Sequence, residues 1–292
     1  MHKLLVLLKN LSRKKPNLPC RILAVPGKMM GLPPKNPDDL ALLCSMKQQD
    51  SPTTVAVIDM GTNTFHLALA QLDAHGRLLP IFRRREFVRL GQGGISRGVI
   101  AEEACERAIA TLGQFRGVMR EYGVAEARAL ATSAMRSAAN GPDLIRRIRH
   151  ETGFEVAVIG GELEAQLIYE GVCHTTSLPP QAPVLVMDIG GGSVEFIIGE
   201  GPKVRWKQSF EIGAQRLFDR FFQQDPMPPA ALRDLYAYLD EQLPPLKQAC
   251  RTHGVSHFAG AAGTFDTLWD LYRQGPAPLP ERAVLPFGAF SR

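Results

Sequence analysis

One stretch of this chain occurs twice. "VAVIDMGTNTFHLALA" (55–70) and "VLVMDIGGGSVEFIIGE" (184–200) share an order: apolar run, aspartate, small turn residues, second apolar run. Aligned without gaps, Asp59 falls on Asp188, Gly61 on Gly190, Thr64 on Ser193 and His66 on Glu195, each pair 129 residues apart. Short apolar runs bounded by glycine read as buried strands, so each stretch is a hairpin. A repeat this long predicts two homologous domains rather than a solenoid.

The elements around each hairpin follow one order. Residues 55–59, 65–72 and 78–89 read as strands, the second turn being "DAHG". A helix is predicted over 101–121, where Ala104, Ala108, Leu112, Phe115 and Met119 recur at helical spacing. Next come a strand "ARALAT", a helix capped by Asn140 with Pro142 in its first turn and Gly153 at its end, a strand "FEVAVIG", and a helix "ELEAQLIYEGVC". The order is βββαβαβα.

After the proline-bearing linker "TTSLPPQAP" (175–183) the order restarts. Strands are expected at 184–188, 193–199 and 203–212, helices near 213–222 and 228–250, then a strand "HFAG" and a helix at 263–273. By the first copy's standard, the second lacks its last strand and helix, and "PLPERAVLPFGAFSR" follows. The expected organisation is α/β, with a first domain over 54–174, a second over 182–292, and a ligand cleft between them.

Charge narrows the partners. Net charge is +5, but residues 1–45 hold eight Lys/Arg against Asp38 and Asp39, a surplus of six, leaving the remainder at −1. The body is not basic, which argues against a nucleic-acid partner. The segment 1–53 reads as a disordered extension, with Met46 a candidate start of translation. Its apolar core "LLVLL" is too short for a signal peptide, and no stretch reaches the length of a membrane span. Five cysteines, odd in number and without a CxxC pair, fit a reducing cytoplasm.

The turns carry the chemistry. Glycine lets the backbone approach an anion and aim successive N–H groups at it. One such loop is weak evidence, because a capped tight turn has the same composition. Two matching loops, Gly61-Thr62-Asn63-Thr64 and Gly190-Gly191-Gly192-Ser193, are stronger, and "GAAGTF" (260–265) adds Gly260, Gly263 and Thr264 as a third candidate. Asp59 and Asp188 would repel phosphate directly, so their expected partner is a hard cation, Mg²⁺ (or Mn²⁺). Strand alternation puts Ser193, Glu195 and Ile197 on one face, turning Glu195 toward the turn. Glu164 shares a helix face with Ile168 and Gly171, and Arg136 follows a strand end as a phosphate clamp.

Taken together, "AVIDMGTNTFHLALA", "VRLGQG", "ATSAMRSAAN", "GGELEAQLIYEG", "VMDIGGGSVEFIIGE" and "GAAGTFDTL" resemble the exopolyphosphatase / guanosine pentaphosphate phosphatase (Ppx/GppA) family, short two-domain type, over about 54–270. The resemblance implies duplicated ribonuclease-H-like domains of the actin/Hsp70/sugar-kinase superfold. It implies a cytoplasmic phosphohydrolase that removes the terminal phosphate of inorganic polyphosphate or guanosine pentaphosphate, assisted by Mg²⁺. Carried over by motif, Glu164 and Glu195 are the catalytic carboxylates, Asp188 the metal-side aspartate and Arg136 a phosphate-binding arginine. Two positions depart from the pattern: Gln166 stands where members often have arginine, and Ala262 where the third loop often has serine. The alternative readings are a non-catalytic or weakly active paralogue that binds guanosine tetra- or pentaphosphate or polyphosphate, and an ATP-using member of the superfold. A homodimer is compatible with any of these.

Overall fold

The structure, a computed structural model, describes residues 54–73, 78–124 and 127–273. The expected 1–53 extension, most of the "DAHG" turn and the terminal "PLPERAVLPFGAFSR" lie outside the described residues. The first copy contains β1 (Thr54–Met60), β2 (Phe65–Leu72), β3 (Leu78–Glu86), α1 (Glu102–Glu121), β4 (Ala127–Ala131), α2 (Ser133–Ser137), α3 (Gly141–Thr152), β5 (Val156–Val158) and α4 (Gly161–Thr175). The second contains β6 (Val184–Ile189), β7 (Val194–Glu200), β8 (Lys203–Phe210), α5 (Ala214–Phe221), α6 (Pro229–Gln242), α7 (Pro244–Thr252), β9 (His257–Ala261) and α8 (Gly263–Arg273).

The two sheets have matching orders, β3-β2-β1-β4-β5 and β8-β7-β6-β9. In each, three strands run as antiparallel hairpins and the next strand joins parallel to the first. A parallel neighbour needs a crossover, which the helices supply. The correspondence extends to register. Asp59 pairs with His66, and Asp188 with Glu195. The second and third strands slip register at Leu69/Ala70 and at Ile198/Gly199, again 129 residues apart. At the second slip a side chain on Gly199 would overlap the Tyr169 ring, whose hydroxyl donates to the Gly201 carbonyl at 2.7 Å.

Packing explains why α4 sits where it does. On β1, Ala56, Ile58 and Met60 face the apolar stripe of α1, including Ala104, Leu112 and Phe115. Val57 points the other way, toward Leu130 of β4 and Leu167 of α4. The rest of α4 (Ala165, Ile168, Tyr169, Val172) packs on Val184, Val186 and Ile197 of the second sheet. A helix apolar on both sides is a buried helix, and α4 is sandwiched between the two copies. Burying each of its large side chains is worth about 1.5–3 kcal/mol. That packing fixes Glu164, one turn from its start, at the junction of both sheets.

Four local expectations change. Asn140 does not cap α3 with its side chain; its amide instead clamps Ile100, accepting from the N–H at 2.9 Å and donating to the carbonyl at 2.8 Å. The helix expected at 228–250 is two, because Pro244 and Pro245 lack the N–H a helix interior requires and start α7 instead. The third strand ends at Glu86 rather than at 89, because its partner β2 begins at Phe65 opposite Glu86, and Arg89 then turns away with φ 50°. Finally, "SAMRS" folds into the short helix α2, which the motif alone did not indicate.

Candidate active site

The two glycine turns face each other. A side chain on Gly192 would strike the Thr62 and Ser133 hydroxyls, and one on Gly191 would lie 3.2 Å from the Asn63 side chain. Each turn is closed identically: Gly61 N–H donates to the Thr64 carbonyl and Gly190 N–H to the Ser193 carbonyl, both at 3.0 Å. From behind, the carbonyls of Gly190, Gly191 and Gly192 accept from the N–H groups of Ala214, Gln215 and Gly213 at the start of α5. In the first copy the Thr62 and Asn63 carbonyls accept from Gly91 and Arg89. In a planar trans peptide the C=O and the following N–H point in opposite directions. The N–H groups of Asn63, Thr64, Gly191, Gly192 and Ser193 are therefore aimed away from those supports, on the side where the turns line a common pocket. Such a nest of N–H groups favours an anion. The Thr62 hydroxyl, buried there, has no hydrogen-bond partner among the described residues, which suits an incoming acceptor or donor.

Four carboxylates line the same pocket: Asp59, Glu164, Asp188 and Glu195. Glu195 is 2% exposed and accepts from the Ser209 hydroxyl at 2.7 Å. Its carboxyl is pushed up to about 8, first by burial and then by the charges of Glu164 and Asp188; hydrogen bonds from Ser193 and Ser209 oppose the rise. Asp188 lies directly across the ladder from it. Two ionised carboxylates so placed would destabilise the sheet, and the first copy has His66 at the matching position. The difference between the copies is thus a local electrostatic cost in the second.

Arg136 does not line the pocket but braces it. One guanidinium nitrogen, Nη1, contacts Glu164 Oε2 at 3.1 Å and the Ile159 carbonyl at 3.1 Å; the other, Nη2, contacts Glu211 Oε1 at 2.9 Å. The sequence reading missed Thr132, which lines the pocket, and the trio Ser133, Glu211 and Arg216 beside it. Thr132 and Ser133 lie inside the quoted "ATSAMRSAAN", so the strand-end position was a usable signal; Glu211 and Arg216 carried none.

The third loop takes a smaller part than expected. Ala262 lines the pocket, held at φ 68° where L-residues are strained. Gly260 instead makes room for the Phe265 ring, Gly263 begins α8, and the Thr264 hydroxyl donates to the Ile189 carbonyl at 2.9 Å. None of the three lines the pocket. Gln166 is also engaged elsewhere, between Glu170 and Lys207 at 3.1 Å each.

The pocket measures about 140 Å³. At roughly 10–15 Å³ of such volume per water, that admits a phosphoryl group together with several waters. Its lining holds four acids and no Lys or Arg, so a bare polyanion would be repelled. Among the described residues no three His, Cys, Asp or Glu side chains converge as a metal cage. Mg²⁺ does not need one, since it takes one or two carboxylates, substrate phosphates and waters. Hard oxygen donors with excess negative charge fit that ion. Among the described residues no helix is long and apolar enough to cross a membrane.

Two duplicated α/β units whose hairpin turns oppose each other across a common pocket define the ribonuclease-H-like superfold of actin, Hsp70 and sugar kinases. Within it, the chain belongs to the Ppx/GppA phosphatase family, whose model matches residues 69–282. It is similar to an exopolyphosphatase from Cytophaga hutchinsonii, with 45% identity over 76% of this chain and 70% of that one, at a TM-score of 0.71. It is also similar to the Ppx/GppA family member of Aquifex aeolicus, with 32% identity over 82% of this chain and 77% of that one, at a TM-score of 0.64.

Proposed function

We propose that this protein hydrolyses the terminal phosphoanhydride of inorganic polyphosphate or guanosine pentaphosphate. The observation that carries the reading is the convergence of two anion-binding turns and buried Glu164 on one pocket.

Phosphoryl transfer asks mainly for positioning and charge stabilisation. The turn N–H groups of Asn63, Thr64, Gly191, Gly192 and Ser193 receive the phosphoryl oxygens. Glu164, steadied by Arg136, orients the attacking water and takes its proton. Glu195, buried and pushed toward the neutral form, donates or holds a proton beside the turn and limits the negative charge facing the substrate. Asp188, helped by Asp59, would hold Mg²⁺ (or Mn²⁺), which when bound offsets charge on the phosphoryl oxygens.

The test is phosphate release by the full chain with Mg²⁺ present, comparing long-chain polyphosphate, guanosine pentaphosphate and ATP. Turnover of either of the first two well above ATP is expected. Preferential release from ATP, or binding of all three without release, would overturn the assignment.

A further inference from the structure

Glu211 follows β8 on the second sheet and reaches across to the first copy. Its carboxylate accepts from Ser133 Oγ at 2.6 Å and Arg136 Nη2 at 2.9 Å, both on α2, and from Arg216 Nη2 at 2.8 Å. Arg216 is itself fixed: Nε donates to the Gly192 carbonyl at 2.8 Å, Nη1 to the Ile95 carbonyl at 3.2 Å, and Nη2 to the Ser137 hydroxyl at 2.6 Å. Two guanidinium groups and a hydroxyl therefore surround one anion. Such a set matches a phosphate as well as it matches a carboxylate.

The set also borders the pocket. Ser133 directly follows pocket-lining Thr132, Gly192 lines the pocket, and Arg136 holds pocket-lining Glu164. The anion site thus adjoins the pocket through three separate contacts. The residue filling it is the most accessible member of the set: the Glu211 side chain is 43% exposed, whereas those of Arg136 and Arg216 are 20% and 16%. The two guanidinium groups are hydrogen-bonded and shielded, and the carboxylate between them is open to solvent.

We propose that Arg136, Arg216 and Ser133 form a second phosphate subsite, and that Glu211 is a built-in surrogate that a substrate phosphate displaces. The proposal rests on the polyphosphorylated-substrate reading and names the residues that take the phosphate next to the pocket. No bond is made or broken; one anion exchanges for another. Glu211 bridges the two copies while the subsite is free of phosphate, and the incoming phosphate replaces that bridge with one of its own.

The experiment is calorimetric titration of the full chain, wild type and Glu211→Gln, with inorganic tripolyphosphate in Mg²⁺. Glutamine keeps the side-chain shape but removes the competing charge, so the dissociation constant should fall about tenfold, the low end for hydrogen bonds to charged groups because Glu211 is half-exposed. A circular-dichroism melt confirms the fold. Should Glu211→Gln not fold, Glu211→Asp, which withdraws the carboxylate, is titrated instead and should also bind more tightly. Unchanged or weaker binding means that Glu211 is a structural bridge and overturns the proposal, as does an absence of tripolyphosphate binding in every variant. Tighter binding without phosphate release by the wild type supports the subsite while sinking the hydrolase assignment, so the two failures are distinguishable.

Discussion

Replacing Glu195 by glutamine should stabilise the fold, and increasingly so as pH rises. The side chain is buried against Glu164 and Asp188, and its carboxyl is held up to about 8 against an ordinary 4.5. Below about pH 4.5 the folded and unfolded chains both carry the proton, and the wild type loses nothing. Between the two values the unfolded chain releases it and the folded chain keeps it, so stability falls as pH rises. Above about pH 8 the folded form ionises too and the loss levels off. At roughly 1.36 kcal/mol per pH unit, the full loss approaches 5 kcal/mol, a large part of the 5–15 kcal/mol typical of a domain. Glutamine mimics the protonated acid and escapes it. Urea unfolding in EDTA, which excludes cations that would offset the neighbouring charges, should show the two proteins nearly equal near pH 4.5. The variant should be about 2 kcal/mol ahead at pH 6 and roughly 5 kcal/mol ahead at pH 9. A difference that stays flat within about 1 kcal/mol over that range would refute the electrostatic account of this carboxyl. The same substitution should lower phosphate release, separating stability from function.

Three further outcomes follow from the geometry. Gly192→Ala drives a methyl into the Thr62 and Ser133 hydroxyls and wedges the turns apart; phosphate release should drop at least about tenfold, with about 1–3 kcal/mol lost in denaturant unfolding. Gly199→Ala, away from the pocket, overlaps the Tyr169 ring and should cost a similar 1–3 kcal/mol of stability, roughly, with KM unchanged. Chelation with EDTA should abolish release and Mg²⁺ restore it, while tripolyphosphate binding weakens in parallel; full activity in EDTA would remove the metal from the mechanism.

The duplication was legible because hairpins write themselves locally: apolar runs, glycine and a fixed 129-residue offset reproduce even the register of Asp59 with His66 and of Asp188 with Glu195. Alternation on β7 turned Glu195 inward as the period of two requires. Glu164 was legible through the apolar face it shares, since α4 is buried between two sheets. What sequence could not announce was long-range. Glu211 and Ser133 are 78 residues apart and meet because the fold brings the end of β8 to the start of α2. Asn140 looked like a helix cap, yet a loop 40 residues earlier competed for its amide and won. The third loop matched a phosphate turn in composition, but Phe265 uses its glycine for packing.

The most direct test of the central claim is steady-state phosphate release by Glu164→Ala, from whichever phosphorylated substrate the wild type prefers, with the fold verified by melting. With Glu164 orienting water and taking its proton, kcat should fall roughly 10²–10⁴-fold while substrate binding is kept. A fall smaller than about tenfold would contradict that role and move the chemistry elsewhere in the pocket.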